Sequence, residues 1–147
     1  MRLEVKDLRK SYGSVAVLKG VDLQVEAGKV LAFLGANGAG KTTTIKMMCG
    51  LITPTEGSIH LNGFDVQKQR GKAMRQIGAV LEGTRNIYWR LTAFENIMYF
   101  ARLKGMRSSE AKDRANLLLE ELDLSDRRND KIRTFSRGMQ QKVAIAC

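Results

Sequence analysis

Residues 35 to 42 read Gly-Ala-Asn-Gly-Ala-Gly-Lys-Thr, and no other stretch restricts the fold of this chain as tightly. Glycines at 35, 38 and 40 let the backbone curl towards an anion whose oxygens side chains would otherwise obstruct. Upstream, Val30-Leu31-Ala32-Phe33-Leu34 is a continuous apolar run, the pattern of a strand covered on both faces. Downstream, the segment Lys41 to Cys49 carries Ile45, Met47 and Met48, and Gly50 supplies a helix stop. Strand, glycine loop and helix in that order predict a phosphate-binding loop. The helix start contributes unpaired N–H groups and roughly half a positive charge from its dipole. The expected ligand is a nucleoside triphosphate, with ATP and Mg²⁺ the first expectation. On that reading Gly35, Ala36, Asn37, Gly38, Ala39 and Gly40 form the cradle, and Lys41 brings a full charge to the β- and γ-phosphates. The Thr42 hydroxyl is the metal ligand and Thr43 donates to a phosphate oxygen. A Gly-x-Gly-x-x-Gly dinucleotide loop is excluded, because the glycine spacing misses it and Lys41 would have no purpose.

Composition adds bounds rather than function. At 147 residues the chain can bury a real core. No apolar run approaches the roughly 18 residues of a membrane span. The opening Met-Arg-Leu-Glu-Val-Lys-Asp alternates apolar and charged residues, unlike a signal peptide. Cys49 and Cys147 lie far apart, giving neither a disulfide framework nor metal-ligand spacing, as expected in a reducing cytoplasm. Twenty-five basic against 15 acidic residues give a formal charge of +10, which favours nucleotides, nucleic acid or an anionic lipid surface. A solvated basic surface explains the same number equally well. The basic residues are scattered apart from Lys68, Arg70, Lys72 and Arg75, and no aromatic residues interleave with them as a base-stacking platform requires.

Along the chain, Leu3, Val5 and Leu8 roughly alternate with charged residues, and Val21, Leu23 and Val25 do so cleanly, so the first third reads as strands. Ala27-Gly28-Lys29 is a turn. A turn is also expected around Pro54, then a short strand from Ser58 to Leu61 ending at Asn62-Gly63. His60 falls in that strand as a surface residue. A basic helix is expected from about Val66 to Arg75, and Ile77-Gly78-Ala79-Val80-Leu81 reads as another buried strand. Beyond it the period becomes helical. Thr92-Ala93-Phe94-Glu95 is a capping-box signature ahead of Phe94, Ile97, Met98, Ala101 and Leu103. A second helix is expected from Ser108 or Ser109 through Leu122, and a third from near Gly138. The pattern implies an α/β core with a helical subdomain.

Several of these segments together resemble the ATP-binding subunits of ABC transporters. Ser11-Tyr12-Gly13 is similar to the segment whose aromatic ring stacks on adenine, which makes Tyr12 the base-stacking candidate. Ile77 to Gly83 resembles the strand leading to the family's glutamine loop, with Glu82 at the glutamine position. The resemblance implies that Glu82 reaches Mg²⁺ or its water; a carboxylate supplies the hard oxygen but not an amide's donor. Phe135-Ser136-Arg137-Gly138-Met139-Gln140 resembles the signature stretch Leu-Ser-Gly-Gly-Gln. Ser136 and Gly138 match it; Phe135, Arg137 and Met139 depart. By that resemblance Ser136, Arg137, Gly138 and Met139 face the γ-phosphate of ATP held by a second subunit. On its own, a serine ahead of this helix is simply a cap.

The resemblance implies an α/β P-loop NTPase of ABC type, with an antiparallel β subdomain, an incomplete α/β core and a helical subdomain. Residues 1–81 would carry the β and P-loop part, 82–137 the glutamine-loop region and helices, and 138–147 the start of the signature helix. The family's Asp-Glu pair and its later histidine would lie beyond Cys147, so residues 1–147 are expected to contain no catalytic carboxylate and to hydrolyse ATP negligibly alone. The implied partners are ATP, a second ATPase subunit and integral membrane subunits driven through residues 82 to 105. No specific nucleic acid is expected, and the implied location is cytoplasmic, at the inner face of the cell membrane. Leu91-Thr92-Ala93-Phe94-Glu95-Asn96 and the signature wording are closest to exporter-type ATPases. The alternative is a soluble ABC-class ATPase acting on nucleic acid or ribosomes.

Overall fold

The computed structural model describes residues 2–81 and 86–147, which form two compact units dividing between Ala79 and Val80. The first unit is built on β1 (Leu3–Tyr12), which pairs antiparallel with β2 (Val15–Lys19) and β3 (Leu23–Val25). On β1's other side lies β4 (Glu56–Leu61), itself paired with β5 (Phe64–Asp65). Between β3 and β4 runs α1 (Lys41–Met48), and α2 (Arg70–Met74) follows β5. One apolar core joins them: Val5, Leu8, Leu18, Ile59 and Leu61 of the sheet enclose Met47 and Met48 of α1 and Ala73 of α2. Burying each large side chain stabilises by about 1.5–3 kcal/mol relative to exposure.

The uneven spacing Leu3, Val5, Leu8 has a local cause. The register between β1 and β4 shifts between Lys6 and Arg9, and Asp7 sits at φ 43° in the left-handed region. One extra residue here turns Leu8 back into the core, where it is fully buried. Asp22 Oδ1 accepts the Asp7 N–H at 2.8 Å, so the bulge is pinned from outside the ladder. Asn62-Gly63 closes β4 onto β5 with φ 50° and 83°, the backbone of a two-residue hairpin turn.

Three strand and helix expectations are corrected. Val30 to Leu34 forms no strand; Val30 is 98% and Leu34 90% exposed. Ile77 to Leu81 forms none either, and Val80 is exposed. Both runs have the composition of doubly covered central strands, and among the described residues neither has a ladder partner. Without a neighbour on each side, such a run has no backbone hydrogen bonds to make. The basic helix is confined to Arg70–Met74 because Asp65 Oδ1 accepts from the N–H groups of Gln67 and Lys68, which turns residues 65–68 away from helix.

The second unit is helical: α3 (Ala93–Leu103), α4 (Ser108–Glu121) and α5 (Arg137–Ala146), with 3₁₀ turns at Ser125–Arg127 and Ile132–Thr134. The capping box predicted at α3 is complete. Thr92 Oγ1 accepts from Glu95 N at 3.1 Å and Glu95 Oε2 from Thr92 N at 2.8 Å. Ile97, Ala115, Leu119, Leu124, Ile132, Phe135 and Val143 make the core. Asn96 is fully buried inside it, its amide bonding Tyr88 and Thr92 carbonyls and its oxygen accepting from Tyr88 N. No helix among the described residues is long and apolar enough to cross a membrane.

Candidate nucleotide site

The loop from Gly35 to Gly40 enters α1 through three glycines at positive φ: 150° at Gly35, 85° at Gly38 and 85° at Gly40. Gly40 is both the N-cap of α1 and the point where the loop meets the sheet. A Cβ there would lie 3.0 Å from Leu18 Cδ1 and 3.2 Å from the Val17 carbonyl oxygen. No side chain caps α1, and its first turn holds no acidic residue. That end keeps its N–H groups and its positive dipole for an anion.

Lys41 lies back across the loop, its Nζ donating to the carbonyls of Gly35 and Ala36 at 2.6 Å each. Those two bonds hold the ammonium at the loop mouth. Thr42 is exposed and Thr43 half-buried. Thr44, which the sequence reading passed over, is fully buried; its Oγ1 and N–H both bond the Gly40 carbonyl, at 2.9 and 2.8 Å. It fixes the joint between loop and helix from inside. Its signal was the run of three threonines, Thr42-Thr43-Thr44, at the start of a helix.

Tyr12 ends β1 opposite Val15 of β2, half exposed. The hairpin it starts is the same one whose Val17 and Leu18 pack on Gly40, so one ladder positions both the loop and the ring. Glu82 lies outside the described residues. In the second unit, Ser136 is the N-cap of α5, its Oγ accepting from Met139 N at 3.3 Å. Arg137 and Gly138 are exposed in the first turn, and Met139 is half-buried. Phe135, which departs from the signature wording, is buried in the helical core, and Gln140 Nε2 donates to its carbonyl at 3.0 Å. An apolar anchor immediately before an exposed cap fixes where the helix begins.

A glycine cradle at positive φ, an uncapped helix start and an ammonium held at the mouth fit a triphosphate. Thr42 presents an exposed hydroxyl-bearing side chain in the first turn of α1. Among the described residues no group of three or more His, Cys, Asp or Glu could hold a metal. The family described as ABC transporter matches residues 18–147. The chain belongs to the ABC transporter family.

Within that family it is 38% identical over 143 residues to the linearmycin resistance ATP-binding protein LnrL of Bacillus subtilis (strain 168). That match covers 97% of this chain and 46% of the relative. The Nod factor export ATP-binding protein I of Cupriavidus pinatubonensis (strain JMP 134 / LMG 1197) is 36% identical, with 98% of this chain and 44% of that protein covered. A solved structure described as the ATP binding subunit of an ABC transporter superposes with a TM-score of 0.89 at 37% identity. It covers all of this chain and 61% of that one. The chain spans about half the length of the curated relatives it matches. The fold therefore matches that of an ABC ATP-binding subunit and is of the expected α/β class, with an antiparallel sheet and helices.

Proposed function

We propose that this chain supplies the ATP-binding part of an ABC exporter subunit, with ATP bound as its Mg²⁺ complex. The observation that carries the reading is the Gly35–Gly40 cradle with Lys41 held across its mouth. Backbone N–H groups and Lys41 would bind the phosphates, Thr42 would ligate Mg²⁺, Thr43 would donate to a phosphate oxygen, and Tyr12 would stack on the base. Mg²⁺ supplies charge neutralisation for the β- and γ-phosphates. Glu82 is the proposed second contact to the metal or its water. Ser136, Arg137, Gly138 and Met139 would meet the ATP of a facing subunit, so that two copies enclose two nucleotides.

Export, rather than transport in general, is supported by the relatives whose printed names speak of resistance and export. Coupling to membrane subunits through residues 82 to 105, at the inner face of the membrane, is supported by the exposed apolar surface of Tyr88, Trp89, Tyr99 and Leu103. Hydrolysis needs a positioned carboxylate and water.

The test is Lys41→Ala in the full-length protein, with ATP binding measured calorimetrically. Affinity should fall about a hundredfold or more, in line with losing a charge-assisted phosphate contact. Retained affinity overturns the loop assignment. Co-purification with a polytopic membrane protein supports the exporter; co-purification with ribosomes or RNA overturns it.

A further inference from the structure

Two residues before Tyr12 on β1, and so on the same face of the strand, stands Lys10. Its Nζ lies 4.8 Å from the Tyr12 ring centroid and donates to the Thr53 carbonyl at 2.8 Å. We propose that Lys10 is a positioning residue for the nucleotide base: anchored to Thr53, it backs one face of the Tyr12 ring so that the other is presented for stacking. This rests on the reading of Tyr12 as the base-stacking residue.

The anchor is a fixed point. Residues 53–55 are stitched to β1 on both sides of Lys10, with Thr55 N–H donating to the Arg9 carbonyl at 2.9 Å and Ser11 N–H to Thr55 Oγ1 at 3.0 Å. Pro54, between them, is buried. Among the described residues no carboxylate pairs with Lys10, so its charge is directed to a carbonyl dipole and a ring. The lysine stem is otherwise a mobile chain, and these two contacts are what hold it.

The electrostatic consequence favours a purine. A cation over one face of a phenol ring is attracted by the ring's negative quadrupole and draws density towards itself. The opposite face is left less negative, and an electron-rich base stacks on it with less repulsion. The ring also loses freedom before the base arrives, which removes part of the ordering cost of binding. The segment that anchors Lys10 follows α1 by only a few residues, so helix and base platform are joined by a short covalent path.

The test compares the full-length wild type with Lys10→Ala, Lys10→Met, Lys10→Arg, Tyr12→Ala and Lys10→Ala/Tyr12→Ala. Calorimetry reads the affinity of each for ATP and for inorganic tripolyphosphate, and thermal unfolding confirms that each folds. Lys10→Ala and Lys10→Met should weaken ATP about two- to fivefold, the size of an exposed cation–π contact, and leave tripolyphosphate unchanged. Lys10→Arg should restore ATP binding, and the double variant should bind ATP no more weakly than Tyr12→Ala. Equal losses for both ligands would make Lys10 a general phosphate attractor and overturn the proposal. So would a Tyr12→Ala that weakens ATP selectively while Lys10→Ala does not. If Tyr12→Ala leaves ATP affinity unchanged, the base-stacking reading itself fails and the proposal falls with it.

Discussion

Single atoms decide the nucleotide loop. Gly40 holds φ 85°, and a Cβ there would lie 3.0 Å from Leu18 Cδ1 and 3.2 Å from the Val17 carbonyl oxygen, so a methyl group meets a strained backbone and a crowded sheet at once. Gly40→Ala should destabilise the first unit by about 1–3 kcal/mol, from the left-handed penalty plus displacement of the Leu18 methyl. It should weaken triphosphate binding as well, because the same residue aims the first N–H groups of α1. Chemical denaturation and a nucleotide titration measure the two effects; a variant unchanged in both contradicts the account. The glycine loop and the helix it opens were legible in the sequence because the positive-φ turns at Gly35, Gly38 and Gly40 call for glycine at those steps. Thr44 and Lys10 were not, since a buried back-bonding threonine and a ring-backing lysine depend on neighbours that only the folded sheet supplies.

Secondary-structure elements were legible where their signal is local. The capping box at Thr92 and the Asn62-Gly63 turn are written in four or fewer consecutive residues, and both are observed as expected. Thr92→Ala should cost the helical unit about 1 kcal/mol by removing one half of that box, seen as a lower denaturation midpoint with unchanged slope. The Asp65 turn is local too, yet it was missed, because Asp-Val-Gln-Lys lies inside a run of helix-compatible residues. The N–H groups of Lys68 and, less strongly, Gln67 hold the Asp65 carboxyl below the usual carboxylate range. A depressed folded value means that the stabilisation is present above the unfolded value near 3.9 and is lost as pH falls through the folded one. The stability gap between wild type and Asp65→Ala should therefore narrow as pH falls below about 4. A gap that fails to narrow below about pH 4 would show that the carboxylate is not what holds the turn. Gly57 marks the opposite case, a glycine with no sequence signature. A Cβ there would lie 2.3 Å from the Asp7 carbonyl oxygen, so its need arises wholly from the β1 bulge.

For the whole molecule, apolar pattern and structure part company at Val30–Leu34 and Ile77–Leu81. Hydrophobic runs report what a segment is suited to, and a central strand exists only when neighbours complete its ladder. In the 147-residue polypeptide Val30 and Leu34 stand almost fully in water, where each forgoes about 1.5–3 kcal/mol of burial. An extended apolar run with free backbone groups is also a template for pairing with another copy. The opposing term is the net charge of +10, which keeps copies apart over a Debye length of about 10 Å at 0.1 M salt. Self-association of residues 1–147 should therefore rise steeply as salt shortens that length, contrary to the behaviour of a polypeptide held together by ion pairs. Light scattering across a salt series measures it. Val30→Glu with Leu34→Glu leaves a formal charge of +8 (+10 minus two) yet should suppress the association, since it removes the template rather than the repulsion. A wild-type polypeptide that stays monomeric at high salt and melts cooperatively and reversibly would mean that these side chains find cover in solution, and that the exposed run is not the chain's weakest point.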